Sequence, residues 1–243
     1  MFKWPVVPLC EKQLRDVNPK DILCDGLYRK CNTYKGGGGY DKFPSIYSKR
    51  FGLQTDLFDQ FVVQVKGCPL KCTYCYVTDE GINGNAKLVD TDTIMCDFYP
   101  THCRVFHLMG GAPALYVEHW PEILNALNQQ YVFHSDLLLV EKEYTKEVID
   151  EIARFPNSLH AVSIKGADKE EFYKNTQTEL NEELFWNNLY ILVESKLQYY
   201  FTFTGMSPES IERFKDTVNS RFNKPEIFED SFAIELVHYK ALD

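Results

Sequence analysis

The sequence predicts an α/β fold in which parallel strands alternate with helices, and three observations support it. Short apolar, β-branched runs recur along the chain. Stretches with apolar residues at helical spacing separate these runs. Turn-forming residues such as Gly67 and Pro69 bound them. This alternation is typical of βαβ units and a parallel sheet, and about six strand–helix units can be counted.

The predicted elements begin at Phe61 and follow one another in order. The first strand, 61–65, is short, apolar and β-branched, as a buried strand should be. The later predicted strands are 104–108, 136–140, 159–164, 197–204 and 232–237. The predicted helices cover residues 117–130, 144–154, 180–195 and 208–218. The last of these starts with Ser207 as its N-cap and Pro208 at the first helical position.

Residues 1–60 lack this periodicity, so we expect a loop-rich N-terminal extension followed by an α/β domain at 61–243. The extension contains the run Gly36–Gly39 and has ten Lys and Arg against seven Asp and Glu, a net charge of +3. The remainder carries −12. Interleaved basic and aromatic residues in the extension would suit contact with RNA or a peptide backbone. They would equally suit a cap across the domain, with its charges in water.

Composition excludes several classes of protein. The 243 residues are 44% hydrophobic, which is too apolar for a disordered chain. The net charge of −9 argues against a general nucleic-acid binder. No apolar run approaches the roughly 18–20 residues of a membrane span, and the first residues lack the apolar segment of a signal peptide. We therefore expect a cytoplasmic protein without a membrane partner, in which eight cysteines are thiols or metal ligands and not disulfides.

Three cysteines directly follow the first predicted strand. Cys68, Cys72 and Cys75 have the spacing Cys-x3-Cys-x2-Cys, and ligands bind at the carboxyl ends of strands in parallel α/β folds. A loop this tight can place three thiolates at one corner of a metal centre. Zinc normally takes a fourth Cys or His at matched spacing. A [4Fe–4S] cluster with three cysteine ligands keeps one iron open for another ligand. Structural cysteines and zinc remain the alternatives.

The spacing Cys68-x3-Cys72-x2-Cys75, with the aromatic Tyr74 before the last cysteine, resembles the signature of the radical S-adenosylmethionine (SAM) superfamily. The resemblance implies a partial (βα)6 barrel with parallel strands over about residues 61–240. It implies a [4Fe–4S] cluster on the three cysteines and SAM on the fourth iron, with Tyr74 near the adenine. It also implies a reductant such as flavodoxin or ferredoxin, and cleavage of SAM to a 5′-deoxyadenosyl radical that abstracts hydrogen from a substrate.

A second motif, Gly110-Gly111-Ala112-Pro113, follows the next predicted strand. It resembles the Gly-Gly-Glu-Pro motif of the same superfamily, whose backbone meets the amino group of SAM. Two glycines allow such a close backbone approach. Ala112 stands where the family usually has Glu, so no carboxylate contact can come from that position. By itself, Gly-Gly-x-Pro is also an ordinary turn sequence.

Later strand ends offer further candidates. Glu141 follows the predicted strand 136–140 and could accept the ribose hydroxyls of SAM, or it could be a helix-start charge. Ser163 and Lys165 point the same way on one strand. They resemble the Asp-x-Lys stretch of pyruvate formate-lyase activating enzymes, which implies that Ser163 meets the ribose and Lys165 the SAM carboxylate.

The last predicted strand also resembles that of these activating enzymes. Lys240 stands where they carry a SAM-contacting His, which puts that contact in doubt. His238 is expected to be a residue of the terminal strand or a polar active-site residue.

The sequence leaves the substrate open. A peptide or protein, including glycyl-radical activation, is the first expectation, and a nucleotide, deazapurine or other small molecule is the alternative. A protein of a different class, an iron–sulfur electron carrier or a zinc module, would perform no catalysis. No residue is singled out as a catalytic hydrogen donor. The remaining cysteines form no second compact group and suit buried thiols better than an auxiliary metal site: Cys10, Cys24, Cys31, Cys96 and Cys103.

Overall fold

The computed structural model describes residues 1–32, 42–52, 59–75, 77 and 79–234. The run Gly36–Gly39 and the positions of His238 and Lys240 lie outside the described residues, so the expectations for them stay predictions. The described strands are β1 Lys3–Val6, β2 Ile22–Leu23, β3 Tyr28–Asn32, β4 Asp59–Gln64, β5 Lys87–Asp90, β6 Val105–Met109, β7 Val132–Leu137, β8 Ser158–Ile164, β9 Tyr199–Thr204 and β10 Phe232–Ile234. The described α-helices are α1 Glu11–Asp16, α2 Lys42–Phe51, α3 Asp79–Asn83, α4 Thr91–Phe98, α5 Trp120–Ala126, α6 Lys146–Ile152, α7 Lys169–Thr176, α8 Glu182–Glu194 and α9 Pro208–Phe222.

An eight-stranded sheet with the order β10-β9-β8-β7-β6-β4-β3-β2 forms the frame of the molecule. Its strands β4 and β6 to β10 are parallel to one another, and helices connect them. Inner-face side chains from β6 to β10 line one cavity, so the sheet curves around an interior. The predicted α/β class and the arrangement of six parallel strands are confirmed.

The outer face of the sheet packs against the helices through a large apolar core. Phe61, Phe106 and Phe133 are fully buried there, on three neighbouring strands. Trp120 at the start of α5 and Leu189 on α8 are fully buried against the same core. Burial of such side chains contributes on the order of 1.5–3 kcal/mol each, which holds the helices in place. In the part of the chain that the structure describes, no helix is long and apolar enough to cross a bilayer.

The third parallel strand lies earlier in the chain than the sequence predicts. β7 covers Val132–Leu137, whereas the apolar run predicts a strand at 136–140. The buried His134 and Ser135 interrupt the apolar pattern of the true strand. Leu139 has a φ of 67°, so the backbone leaves the extended conformation inside the predicted segment. The prediction of this strand's position was therefore wrong.

Short strands before residue 60 add to the same sheet. β3 pairs antiparallel with β4, with Tyr28 opposite Val63, and β2 pairs with β3. β1 pairs antiparallel with β5 in a separate two-stranded sheet. The sequence of β3, Tyr-Arg-Lys-Cys-Asn, has little apolar character, and backbone pairing with β4 is what makes it a strand.

Helix α2 closes the amino end of the barrel. Ile46 and Tyr47 are buried against inner-face side chains that begin the parallel strands: Val105, Val132, Leu159, Tyr200 and Phe232. Arg50 fastens the end of the helix, since its Nη2 donates to Tyr199 O at 3.2 Å and to Asp230 Oδ2 at 2.7 Å. The N-terminal residues thus cap the barrel, at the end opposite to the cysteine loop.

Candidate active site

A cavity of about 470 Å³ opens at the carboxyl ends of the parallel strands. The sequence motifs meet at its rim, where the lining includes Cys68, Cys72, Tyr74, Cys75, Gly110, Gly111, Ser163 and Lys165. Lys71 and Asp79 are exposed at the mouth, so the cavity is open to the surface. The structure therefore brings together eight of the ten residues that the sequence singles out.

The cysteine loop is fastened to the end of α7. Lys71 N donates to Thr176 O at 2.9 Å, and Thr73 N donates to Asn175 O at 3.2 Å. The Asn175 side chain in turn donates to Lys165 O at 2.7 Å and to Gly205 O at 3.2 Å. Asn175 thus ties the cysteine loop to the ends of β8 and β9. Sequence reasoning missed it because an Asn on a helix gives no motif signal.

The turn at Gly110 and Gly111 needs glycine at both positions. Both have positive φ, 71° and 54°, which L-residues with a side chain rarely adopt. A Cβ on Gly110 would lie 2.1 Å from Gln64 Cγ, and one on Gly111 would lie 2.4 Å from Gly67 O. Ala112 N donates to the same Gly67 oxygen at 2.6 Å. The glycine turn therefore fixes the backbone of Gly67, which directly precedes Cys68.

Burial and one nearby cation set the acidity of the thiols. Burial raises the pKa of the Cys68 thiol to about 12. Burial also raises the pKa of Cys72, while the Lys165 ammonium acts in the opposite direction. Lys165 Nζ lies 5.5 Å from the centre of the Tyr74 ring, and Tyr74 Oη donates to Thr204 O at 3.4 Å. Lys165 therefore favours the thiolate form that a metal ligand needs.

The donor set suits an iron–sulfur cluster better than a single metal ion. Among the described residues, no group of three His, Cys, Asp or Glu side chains is placed to hold one metal ion. In a cluster, each thiolate binds a different iron, so the sulfurs need not converge on one point. Three thiols on one loop beside an ammonium group fit such a cluster, and this arrangement does not favour zinc.

Two of the predicted site residues do not line the cavity. Pro113 is buried at the start of a short 3-10 segment behind the glycine turn. Glu141 is also buried, and its carboxylate accepts hydrogen bonds from Leu138 N at 3.0 Å, Val140 N at 2.9 Å and Tyr144 Oη at 2.7 Å. Burial raises the pKa of Glu141. Its carboxylate holds the loop after β7 together, and the expected ribose contact stays a prediction.

The inner wall carries polar residues that sequence reasoning missed. His107 and His134 are cross-strand partners on β6 and β7, and their ring centres lie 4.2 Å apart. His134 Nε2 lies 2.9 Å from Tyr200 Oη, and burial lowers the pKa of His134, so its ring is neutral. Asp136, two residues further along β7, lines the same cavity. The alternation Val132, His134, Asp136 was the available signal, because side chains two apart share a face.

Comparison with family models identifies the class of protein that this fold and site define. The model of the radical SAM superfamily matches residues 62–220, well over half of the chain. The chain belongs to the radical SAM superfamily and is an enzyme of that class. A comparison with curated proteins returned no match.

Solved structures of radical SAM enzymes resemble the chain. TYW1 with a lysine–pyruvate adduct bound is 16% identical, with a TM-score of 0.54 over 85% of this chain and 78% of TYW1. anSMEcpe with bound AdoMet and Cp18Cys peptide is 14% identical, with a TM-score of 0.49 over 72% of this chain and 51% of the other. The methyltransferase TsrM from Kitasatospora setae, with cobalamin and a [4Fe–4S] cluster bound, is 13% identical, with a TM-score of 0.46 over 63% and 31%.

The anSMEcpe structure contains AdoMet (that is, SAM), and the TsrM structure contains a [4Fe–4S] cluster, which are the two cofactors that the sequence motif implies. The likeness to TYW1 confirms the partial-barrel fold. The chain spans 31% of the TsrM structure and 49% and 47% of two anSMEcpe structures with bound AdoMet, less than half of their length.

Proposed function

We propose that this enzyme binds a [4Fe–4S] cluster through Cys68, Cys72 and Cys75, and SAM beside it. One observation carries the proposal: the cysteine loop, the glycine turn and Lys165 converge on the rim of one cavity at the carboxyl ends of the strands. When bound, the reduced cluster supplies the electron that cleaves SAM, and SAM supplies the 5′-deoxyadenosyl radical that abstracts hydrogen from the substrate.

The residues of the chain have separate tasks in this proposal. Lys165 pairs with the SAM carboxylate. Backbone carbonyl oxygens at Gly110 and Gly111 accept hydrogen bonds from the SAM amino group. Tyr74 packs near the adenine, and Ser163 meets the ribose. Behind them, the glycine turn and Asn175 hold the loop in position, so that the bound groups meet a fixed geometry.

The substrate enters by the open rim, because α2 packs across the opposite end of the barrel. Lys71 and Asp79 are exposed at the mouth, where they would contact the chain on either side of a residue that enters the cavity. The proposed substrate is therefore a peptide or a protein. A reductant such as flavodoxin or ferredoxin and a cytoplasmic location complete the proposal. Feeding candidate peptides and nucleosides to the reduced enzyme, chosen from neighbouring genes, separates the peptide from the small-molecule alternative.

Replacing Cys68, Cys72 and Cys75 by Ala together tests the proposal. The wild-type protein, reconstituted anaerobically, should show iron–sulfur absorbance and release 5′-deoxyadenosine when dithionite and SAM are added. The triple variant should lose both. Cys96→Ala is the matched control, because Cys96 is an exposed thiol on α4 that does not line the cavity. A triple variant that keeps the cluster and cleaves SAM would refute the assignment. An intact cluster without any SAM cleavage would indicate an electron carrier.

A further inference from the structure

The inner wall of the cavity carries a carboxylate that no Lys or Arg of the described residues pairs with. The Asp136 side chain is 31% exposed, and it lines the cavity on β7. Within the described residues, it forms no hydrogen bond and no ion pair with Lys or Arg. Its ion-pair partner there is His107, whose Nε2 lies 3.8 Å from Asp136 Oδ2, and Asp136 also acts electrostatically on the buried Tyr47 hydroxyl. This carboxylate is partly exposed to the open cavity, and a ligand that donates a hydrogen bond to it from a cationic group would gain a charge-assisted hydrogen bond.

His107 offers a second acceptor beside that carboxylate. Its side chain is 9% exposed, and its Nδ1 lies 2.5 Å from Gln60 Oε1. Because an amide oxygen only accepts, Nδ1 donates in this contact, and in the neutral ring Nε2 then carries the lone pair. His107 Nε2 is buried and has no hydrogen-bond partner among the described residues. Gln60 therefore holds His107 in the tautomer that turns an unused acceptor toward Asp136.

Asp136 Oδ2 and His107 Nε2 lie 3.8 Å apart, and this distance limits which groups could bind to both atoms. One nitrogen with bonds of about 2.8 Å to each atom fits across the gap, because the gap is shorter than two such bonds. An ammonium group has three N–H donors and a positive charge, so it satisfies both acceptors and neutralises Asp136. A hydroxyl has a single donor and no charge. A metal ion is not favoured, since these residues form no three-ligand group in the described part of the chain.

We propose that Asp136 and His107 form a subsite for a primary ammonium group of the substrate. The inference rests on the proposed function, since it assigns the substrate that the radical reaches, and it holds for an amine on a peptide side chain or on a small molecule. Asp136 supplies the charge, His107 Nε2 accepts a second hydrogen bond, and Gln60 is a positioning residue that fixes the tautomer.

Binding of n-butylammonium to the anaerobically reconstituted enzyme, measured by NMR titration before SAM is added, tests the subsite. The neutral 1-butanol is the matched probe, and methylguanidinium tests the other cation that proteins recognise. We expect saturable binding of n-butylammonium that is about tenfold or more weaker in Asp136→Asn, because a charge-assisted hydrogen bond is lost. His107→Phe should weaken it about threefold or more, by removal of one neutral acceptor. Asp92→Asn is the control, since it removes an exposed carboxylate on α4 that does not line the cavity.

Several outcomes would overturn the subsite. Equal binding of 1-butanol would show an ordinary apolar pocket, and tighter binding of methylguanidinium would show the wrong cation class. A ring ¹⁵N spectrum with the His107 proton on Nε2 would show that the ring donates to Asp136 itself. Loss of SAM affinity in Asp136→Asn to the same extent would assign Asp136 to SAM. Iron–sulfur absorbance of each variant checks its folding.

The two proposals fail separately. If the wild-type enzyme cleaves SAM but does not bind n-butylammonium, only the subsite is wrong. If it binds n-butylammonium but neither assembles a cluster nor cleaves SAM, the proposed function is wrong.

Discussion

The two ends of the barrel use the same six strands for different purposes. At the amino end, apolar side chains such as Val105 and Val132 meet Ile46 of α2 in a closed cluster. At the carboxyl end, the lining holds three thiols, the Asp136 carboxylate and glycines with positive φ. Each of these groups costs stability, and the apolar end offsets that cost. The comparison shows that stability and chemistry are divided along the barrel axis.

The change from one end to the other takes place within single strands. On β6, the inward position changes from the apolar Val105 to the polar His107 within one step along the inner face. β7 repeats the change with Val132, His134 and Asp136. Because the inner face alternates with the outer one, these polar residues reach the cavity without disturbing the outer apolar core. Substitutions at the two ends should therefore separate catalytic effects from effects on stability.

Gly111→Ala should give the largest effect on chemistry. A Cβ there would lie 2.4 Å from Gly67 O and 2.5 Å from Val65 O, and these backbone atoms cannot move without shifting the cysteine loop. We expect formation of 5′-deoxyadenosine to fall by about 100-fold or more, because displacements near 1 Å at reacting groups have effects of that size. The yield of 5′-deoxyadenosine per assembled cluster measures it.

Gly52→Ala is the matched control at the other end of the barrel. Gly52 follows α2 with a φ of 63°, and a Cβ on it would meet nothing within 4 Å. We expect a loss of about 1–2 kcal/mol in the free energy of unfolding from backbone strain alone. SAM cleavage should stay at the wild-type rate. Equal effects of the two substitutions on cleavage would contradict the division between the ends.

Ile46→Ala should destabilise the protein without altering its chemistry. Ile46 is 3% exposed in the cluster that closes the amino end. Truncation should cost about 2–5 kcal/mol in the free energy of unfolding, measured with urea, and Ile46→Val about 0.5–1.5 kcal/mol. SAM cleavage per folded molecule should not change. A fall in cleavage with unchanged stability would instead place α2 in the active site.

Much of the fold could be predicted because burial leaves a pattern in the sequence. The outer face of each parallel strand needs apolar residues, and runs such as Phe61–Val65 record that need. The cysteine loop and the glycine turn were visible for a similar local reason. Three ligands close in sequence and two positive-φ glycines each act within one short segment.

What the sequence did not show depends on contacts between distant segments. β7 was misplaced because its inward residues, His134 and Asp136, are polar, while Leu138 to Val140 in the following loop are apolar. The predicted strand end at residue 140 put Glu141 at the rim, whereas the observed β7 places Asp136 in the cavity. The sequence did not predict β3, because pairing with β4 stabilises this strand and its own residues show no strand pattern. The contact between His107 and His134 arises only when β6 and β7 become neighbours.

Glu141→Gln tests whether an acidic residue near the active site serves structure or chemistry. Glutamine keeps one acceptor oxygen, and its amide NH2 would leave one of the backbone donors, Leu138 N or Val140 N, without an acceptor. We expect a loss of about 1–3 kcal/mol in the free energy of unfolding, with the SAM cleavage rate per folded molecule unchanged.

The pH dependence of stability gives a second readout for the same variant. Burial holds the pKa of Glu141 in the folded state above its unfolded value of about 4.3. The folded state therefore binds more protons in this window, so this group's contribution to stability is fully present below the unfolded pKa and is lost as the pH rises through the folded pKa. Glutamine cannot titrate, so unfolding by urea at a series of pH values should show that decline in the wild-type protein and a flatter profile in Glu141→Gln.

A variant with wild-type stability and tenfold weaker SAM binding would instead support the ribose contact that the sequence suggests. In that case the functional half of the barrel would extend into the loop that follows β7.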